Sequence, residues 1–211
     1  LVTMLKEPQQ PFWILQIAQS YIAIATYAYQ GGDRKAAEAA IVQAKIAIGK
    51  LAPEQPMDKV WPLIDLADYY KLSGQLDLAL ATNQDLLRVL LFDFNSDDPY
   101  TSPDLENYLS PWYTLHAIDQ KMNLLWLMYR RNGDTQLLPI IVKCGQNALA
   151  LLRKLRQERT NEDDKLRVNK QWRNLYENSL RAAMELHRQT HDDRHLVTVL
   201  EIVEQSKAMI L

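Results

Sequence analysis

Three histidines, His187, His191 and His195, recur at four-residue steps, the spacing at which one helix face would offer imidazoles to a metal ion. The pattern around them places His191 in a turn, so the three do not share a face, and Asp192 and Asp193 read as turn caps. Cys144 is the single cysteine and, with His116 as base, would be a candidate nucleophile. It follows Val142 on a helix expected to pack inward, and no glycine-rich elbow accompanies it, so it reads as a small buried residue. Glu162, Asp163 and Asp164 cluster without the alternating oxygen ligands of a calcium loop, which makes a solvated turn the better reading. The six glycines are scattered and build no phosphate cradle. The expectation is a chain that is not an enzyme, with no catalytic residue, no metal and no cofactor.

What remains is architecture. At 211 residues and 47% apolar the chain can bury a sizeable core. Its net charge of −2 exerts no bulk pull on nucleic acid or membrane. No apolar run approaches the ~20 residues that span a bilayer, and no signal-peptide pattern opens the chain. With the lone cysteine, this sets the expectation of a cytoplasmic location. The start at Leu1 and the uncapped apolar end Ala208-Met209-Ile210-Leu211 read as a piece of a longer protein.

Four times a helical stretch ends in a tight polar turn and a second helix follows. The turns are Gly32-Asp33, Gly74-Gln75, Gly133-Asp134 and His191-Asp192. Ala37, Ala79, Leu138 and Leu196 sit five residues beyond each turn's first position. The first helix is expected over about 11–30, with Ile14, Ile17, Ala18, Tyr21, Ile24, Ala25 and Ala28 on its apolar face. Gly31 and Gly32 are expected to end it by supplying positive φ, and Asp33 to cap its successor, which turns Ala36, Ala37, Ala40, Ile41, Ala44 and Ile48 inward. After a linker at 51–56, broken by Pro53 and Pro56, helices are expected over 59–72 and 76–92. The 93–111 stretch, rich in Asp, Ser and Pro, is longer than an ordinary inter-helix loop, a mark of functional or flexible segments. Helices over 112–131, 135–159 and 166–190 and one from Asp193 to the end complete eight, with a turn at 160–165. The units span about 11–50, 57–92, 112–159 and 166–211. A pair of this size cannot bury its apolar face alone and must stack on neighbours, so the fold class is all-α, an αα superhelix of four hairpins.

These residues resemble tetratricopeptide repeats. Leu63, Leu66, Ala67, Tyr70, Gly74, Ala79 and Leu86 carry the likeness best. Ala37, Ile41 and Ala44 in the first unit add to it, as do Met122, Leu125, Trp126, Tyr129 and Gly133 in the third. The third unit departs at Leu138, where alanine is usual; the fourth has Leu180, Ala183, Met184 and His187 but lacks the turn glycine. Leu51-Ala52-Pro53-Glu54-Gln55-Pro56 is similar to the linker of the kinesin-light-chain-like variant, and residues 5–11 resemble the remnant of another. The run Asp93-Phe94-Asn95-Ser96-Asp97-Asp98 with Ser102-Pro103-Asp104-Leu105 resembles the connector in repeat regions that precede CHAT domains, caspase-like peptidases of bacterial proteins. Residues 129–134, Tyr176-Glu177 and the closing run from Glu204 to Leu211 agree with that family.

In tetratricopeptide arrays the first helix of each unit lines a concave groove. The resemblance therefore implies a partner-binding set of Trp61, Ile64, Asp68 and Lys71; Asn123, Leu127, Arg130 and Arg131; and Asn178, Arg181, Glu185 and Arg188. Amides can bond an extended backbone and guanidinium grips carboxylate, which suits a protein or peptide partner. The resemblance further implies regulation of a downstream CHAT peptidase beyond Leu211; the alternative is a plain assembly scaffold. Charge is uneven: residues 53–102 hold nine acids against three bases, and 103–160 eight bases against five acids. The basic run Arg153, Lys154, Arg156 and Arg159 lacks interleaved aromatics and suits a helix end better than RNA, so neither nucleic acid nor membrane is expected as a partner.

Overall fold

The structure, a computed structural model, describes residues 11–158 and 172–207. These form eight α-helices: α1 (Pro11–Gln30), α2 (Arg34–Gly49), α3 (Met57–Leu72), α4 (Leu76–Leu90), α5 (Pro111–Asn132), α6 (Leu137–Gln157), α7 (Arg173–Thr190) and α8 (Arg194–Lys207). Among the described residues the one β-bridge joins Leu91 to Tyr108. The chain divides into two compact units, residues 1–90 and 91–211. The turn expected at 160–165, the start of a helix at 166, the acidic cluster at 162–164 and the 5–10 linker remnant lie outside the described residues.

In the first unit α1 packs on α2, α3 on α4, and the two first helices α1 and α3 on each other. Ala18 and Ala25 of α1 and Ala37, Ala40, Ala44 and Ala47 of α2 are buried, so small side chains let these backbones approach. Two register corrections follow from burial. Ile22, 3% exposed, takes the inward place expected of Ile24, which is 50% exposed, and Ala47 is buried where Ala36 is exposed. The tetratricopeptide-type positions Leu63, Leu66, Ala67, Tyr70, Ala79 and Leu86 are all buried.

Both turns of this unit use one device. Gly32 (φ +86°) and Gly74 (φ +76°) are left-handed, and the next residue's N–H reaches back five residues, Asp33 to Ala28 and Gln75 to Tyr70, each at 2.9 Å. That bond occupies a carbonyl the helix would leave open, and glycine adopts the backbone without a Cβ penalty. Of Gly31 and Gly32 only Gly32 has positive φ, so the expectation for Gly31 is corrected. Asp33 caps α2 as expected, its carboxylate accepting from the Ala36 N–H.

In the second unit α5 packs on α6, α6 on α7, α7 on α8, and α5 also meets α7. Its turns use a simpler bond: Gly133 N–H to Tyr129 O and His191 N–H to His187 O, both 2.7 Å. His191 stands where glycine is usual and is left-handed at φ +53°. At Gly145 α6 and α7 approach closely: a Cβ there would lie 2.2 Å from Ser179 Oγ. Met184 is 55% exposed and Ala182 and Leu186 are buried, which corrects the repeat register expected in α7.

The 91–110 stretch is anchored at three consecutive residues. Lys121 Nζ donates to the Thr101 carbonyl at 2.7 Å, Cys144 Sγ lies 3.4 Å from Ser102 Oγ, and Asn147 Nδ2 donates to the Pro103 carbonyl at 2.7 Å. Phe94 and Leu105, within the stretch, are buried. Lys121 is fully buried, and desolvation lowers its ammonium from 10.5 to about 8, with Cys144 and Asp98 opposing that shift.

Candidate interaction surface

The residues first considered for chemistry are dispersed. Cys144 is fully buried, and burial first of all raises its thiol, so the reactive thiolate is disfavoured. His116 is exposed on α5, away from a buried thiol whose hydrogen-bond partner is Ser102. His187 Nδ1 sits 3.1 Å from the Asp192 carbonyl, His191 occupies the turn and His195 belongs to α8. No cluster of three metal-ligating side chains occurs among the described residues.

In the second unit, α5 and α7 are the first helices of their hairpins, and side chains at helical spacing on each form a row of cross-helix pairs. Asn178 Nδ2 donates to Asn123 Oδ1 at 3.1 Å. One turn on, the Arg181 guanidinium lies 5.6 Å over the Trp126 ring. One turn further, the Tyr129 hydroxyl donates to Glu185 Oε1. Arg188 forks onto the same carboxylate at 2.9 and 2.6 Å, and Gln189 donates to it at 2.9 Å. Arg188 above all, then Tyr129, holds Glu185 at about 2 rather than the usual 4.5, while the bond to Glu185 raises the Tyr129 phenol.

Asn123, Asn178, Arg181, Glu185 and Arg188 are thus brought together. Leu127 (39% exposed), Arg130 and Arg131 share α5, and both arginines are exposed. Trp126 and Tyr129 were assigned to packing by the repeat pattern, yet they are half-buried and bridge to charged partners. An aromatic ring with a polar handle, facing Arg and Glu one hairpin later, is the signal that could have marked them.

In the first unit Trp61 is 48% exposed, and Lys71 pairs with Asp68 at 2.6 Å. Ile64, at 3% exposed, is a core residue, which corrects its place in the expected binding set. Asp68 also lines a cleft between α1 and α3.

The architecture these helices build is a helical repeat. The chain is similar to the crystal structure of the de novo designed helical repeat protein DHR64, with 15% identity and a TM-score of 0.55 over 95% of this chain and 96% of that one. A likeness at that identity shows the fold alone: all-α, helical repeat. No protein-family model matches the chain, and no curated protein matches it. No described helix is long and apolar enough to cross a membrane.

Proposed function

We propose that this chain is a protein-interaction module whose first helices hold a protein or peptide partner. The observation that carries the reading is the row on α5 and α7. It presents amides, an arginine held on a tryptophan, and Arg188 fixed by Glu185, all on one pair of helices. Such groups are held in place by neighbours, so little side-chain freedom is lost when a partner docks. Helical-repeat folds commonly serve as interaction scaffolds, and among the described residues Cys144, His116 and the three C-terminal histidines are dispersed. The reading is of a non-enzymatic, cytoplasmic protein.

The finer part of the proposal rests on the tetratricopeptide and CHAT resemblances: partner binding to the repeat restrains or licenses a caspase-like peptidase that follows it in a bacterial parent protein. The test compares peptidase activity of the parent protein with and without residues 1–211. Regulated activity lost on deletion supports gating; equal, unregulated activity in both ends it and leaves an assembly scaffold.

A further inference from the structure

We propose that α2 is a self-association surface, docking against the α2 of a second copy of this chain, antiparallel and related by a two-fold axis. The inference goes beyond the partner-binding reading and does not rest on it, since it concerns a second helix of the first unit. A surface helix ordinarily turns one apolar stripe to the core and polar residues to water. The inward stripe of α2 is Ala37, Ala40, Ile41, Ala44 and Ala47, all buried. Its opposite side is apolar as well. Ala39, Val42 and Ile46 are exposed there, Val42 at 54% and Ile46 at 48%, and their spacing in the chain makes a second stripe of the kind that seats one helix on another.

Charge selects the occupant. Glu38 and Lys45 flank this stripe on one side, two turns apart, and both are exposed. Neither forms an ion pair among the described residues; the Glu38 carboxylate is felt by the Tyr69 phenol, which burial raises first and Glu38 second. In an antiparallel pair with Ala39 opposite the second copy's Val42, Glu38 meets Lys45 and Lys45 meets Glu38, two reciprocal pairs from one symmetry operation. In the same register Lys35 lies opposite Ile46, where its methylene stem covers the isoleucine while the ammonium reaches water. Lys50 falls opposite the turn that precedes α2, and the Arg34 guanidinium is held over the Tyr29 ring of its own chain. A parallel copy would set Glu38 on Glu38 and Lys45 on Lys45, and a partner helix of one charge sign would repel one of the two. One helix against one helix is a small contact, so the dimer is weak and depends on concentration.

Sedimentation velocity on the full chain, from micromolar to millimolar concentration, tests it, and a monomer–dimer equilibrium is expected. Val42→Glu abolishes the dimer while the melting temperature holds, because the side chain stands in water. Glu38→Lys weakens dimerisation about tenfold by turning both pairs repulsive, and adding Lys45→Glu restores it to within about threefold of wild type. A monomer at every concentration, a dimer indifferent to Val42→Glu, or no recovery in the double swap overturns the proposal. So does a dimer lost on Leu200→Glu, which would place the contact on the exposed apolar residues of α8. None of these outcomes bears on the row of α5 and α7, whose failure the crosslinking of a partner reads separately.

Discussion

The Tyr129 hydroxyl donates to Glu185 Oε1, joining α5 to α7 across fifty-six residues of chain. The same oxygen receives Arg188 and Gln189, so one carboxylate orders three other side chains on two helices. Tyr129→Phe is expected to cost about 1 kcal/mol, the net worth of a hydrogen bond to a charged group that water partly reaches. Urea denaturation measures it, and a double-mutant cycle with Glu185→Gln should show the two losses are not additive.

The carboxylate makes stability depend on pH. Glu185 titrates near 2 in the fold against 4.5 ordinarily, so its stabilising contribution is complete above about pH 4.5 and disappears as pH falls towards 2. After allowance for solvent screening, about 1 kcal/mol is expected from a side chain 19% exposed. Melting curves from pH 6 to 2.5 should fall more steeply for the wild type than for Glu185→Gln.

Lys121 acts in the opposite window. Its folded value near 8 lies below the ordinary 10.5, so between these limits the unfolded chain binds more protons and stability rises with pH. Lys121→Met should flatten that rise, worth about 3 kcal/mol at most. It should also raise amide exchange in the 91–110 stretch, because Thr101 loses its anchor. An unchanged pH profile would place the ammonium in water.

Two glycines should answer oppositely to alanine. At Gly145 a Cβ meets Ser179 Oγ at 2.2 Å and Ser179 Cβ at 2.8 Å, so Gly145→Ala pushes α6 from α7 and costs about 2 kcal/mol. Gly49 has nothing within 4 Å and ends α2, so Gly49→Ala is stabilising by about 0.5 kcal/mol. Ser179→Gly should recover part of the loss at 145. Chemical denaturation of Gly145→Ala, Gly49→Ala and the Gly145→Ala, Ser179→Gly pair decides it.

At the last turn, His191 holds a left-handed backbone at φ +53° that glycine adopts without strain. His191→Gly is expected to stabilise by about 1 kcal/mol, read as a rise in melting temperature. A fall would mean the imidazole makes contacts worth more than the backbone strain.

Helix count, hairpin turns and most of the core were legible in the sequence because glycine, Asp33 and 3.6-residue periodicity act locally. Gly32, Gly74 and Gly133 mark their turns by type alone, and Tyr70, Ala79 and Leu86 lie where the repeat spacing puts them. Legibility weakened where a helix has apolar residues on several sides: Ile22 and Ile24 look alike in α1, and only packing against α2 and α3 chooses between them. The anchoring of 101–103 was not legible, since a lysine reads as a surface residue and its carbonyl partner lies twenty positions away. In the candidate surface, the repeat positions named Asn123, Asn178, Arg181 and Glu185, and the structure joins Asn123 to Asn178. They missed Trp126 and Tyr129, whose polar handles matter only once α7 is beside them.

The central claim is that a protein partner rests on the first helices. A photo-crosslinking residue at Leu127 on α5, compared with one at Lys143 on the exposed side of α6, in the intact parent protein tests it most directly. The account predicts one partner crosslinked from 127 and not from 143, with the yield lost on Arg130→Glu and Arg181→Ala while the melting temperature holds. Arg188 is kept, because its reversal would set two carboxylates together at Glu185. The same partner captured from 143, or capture from 127 indifferent to both arginines, would contradict the account.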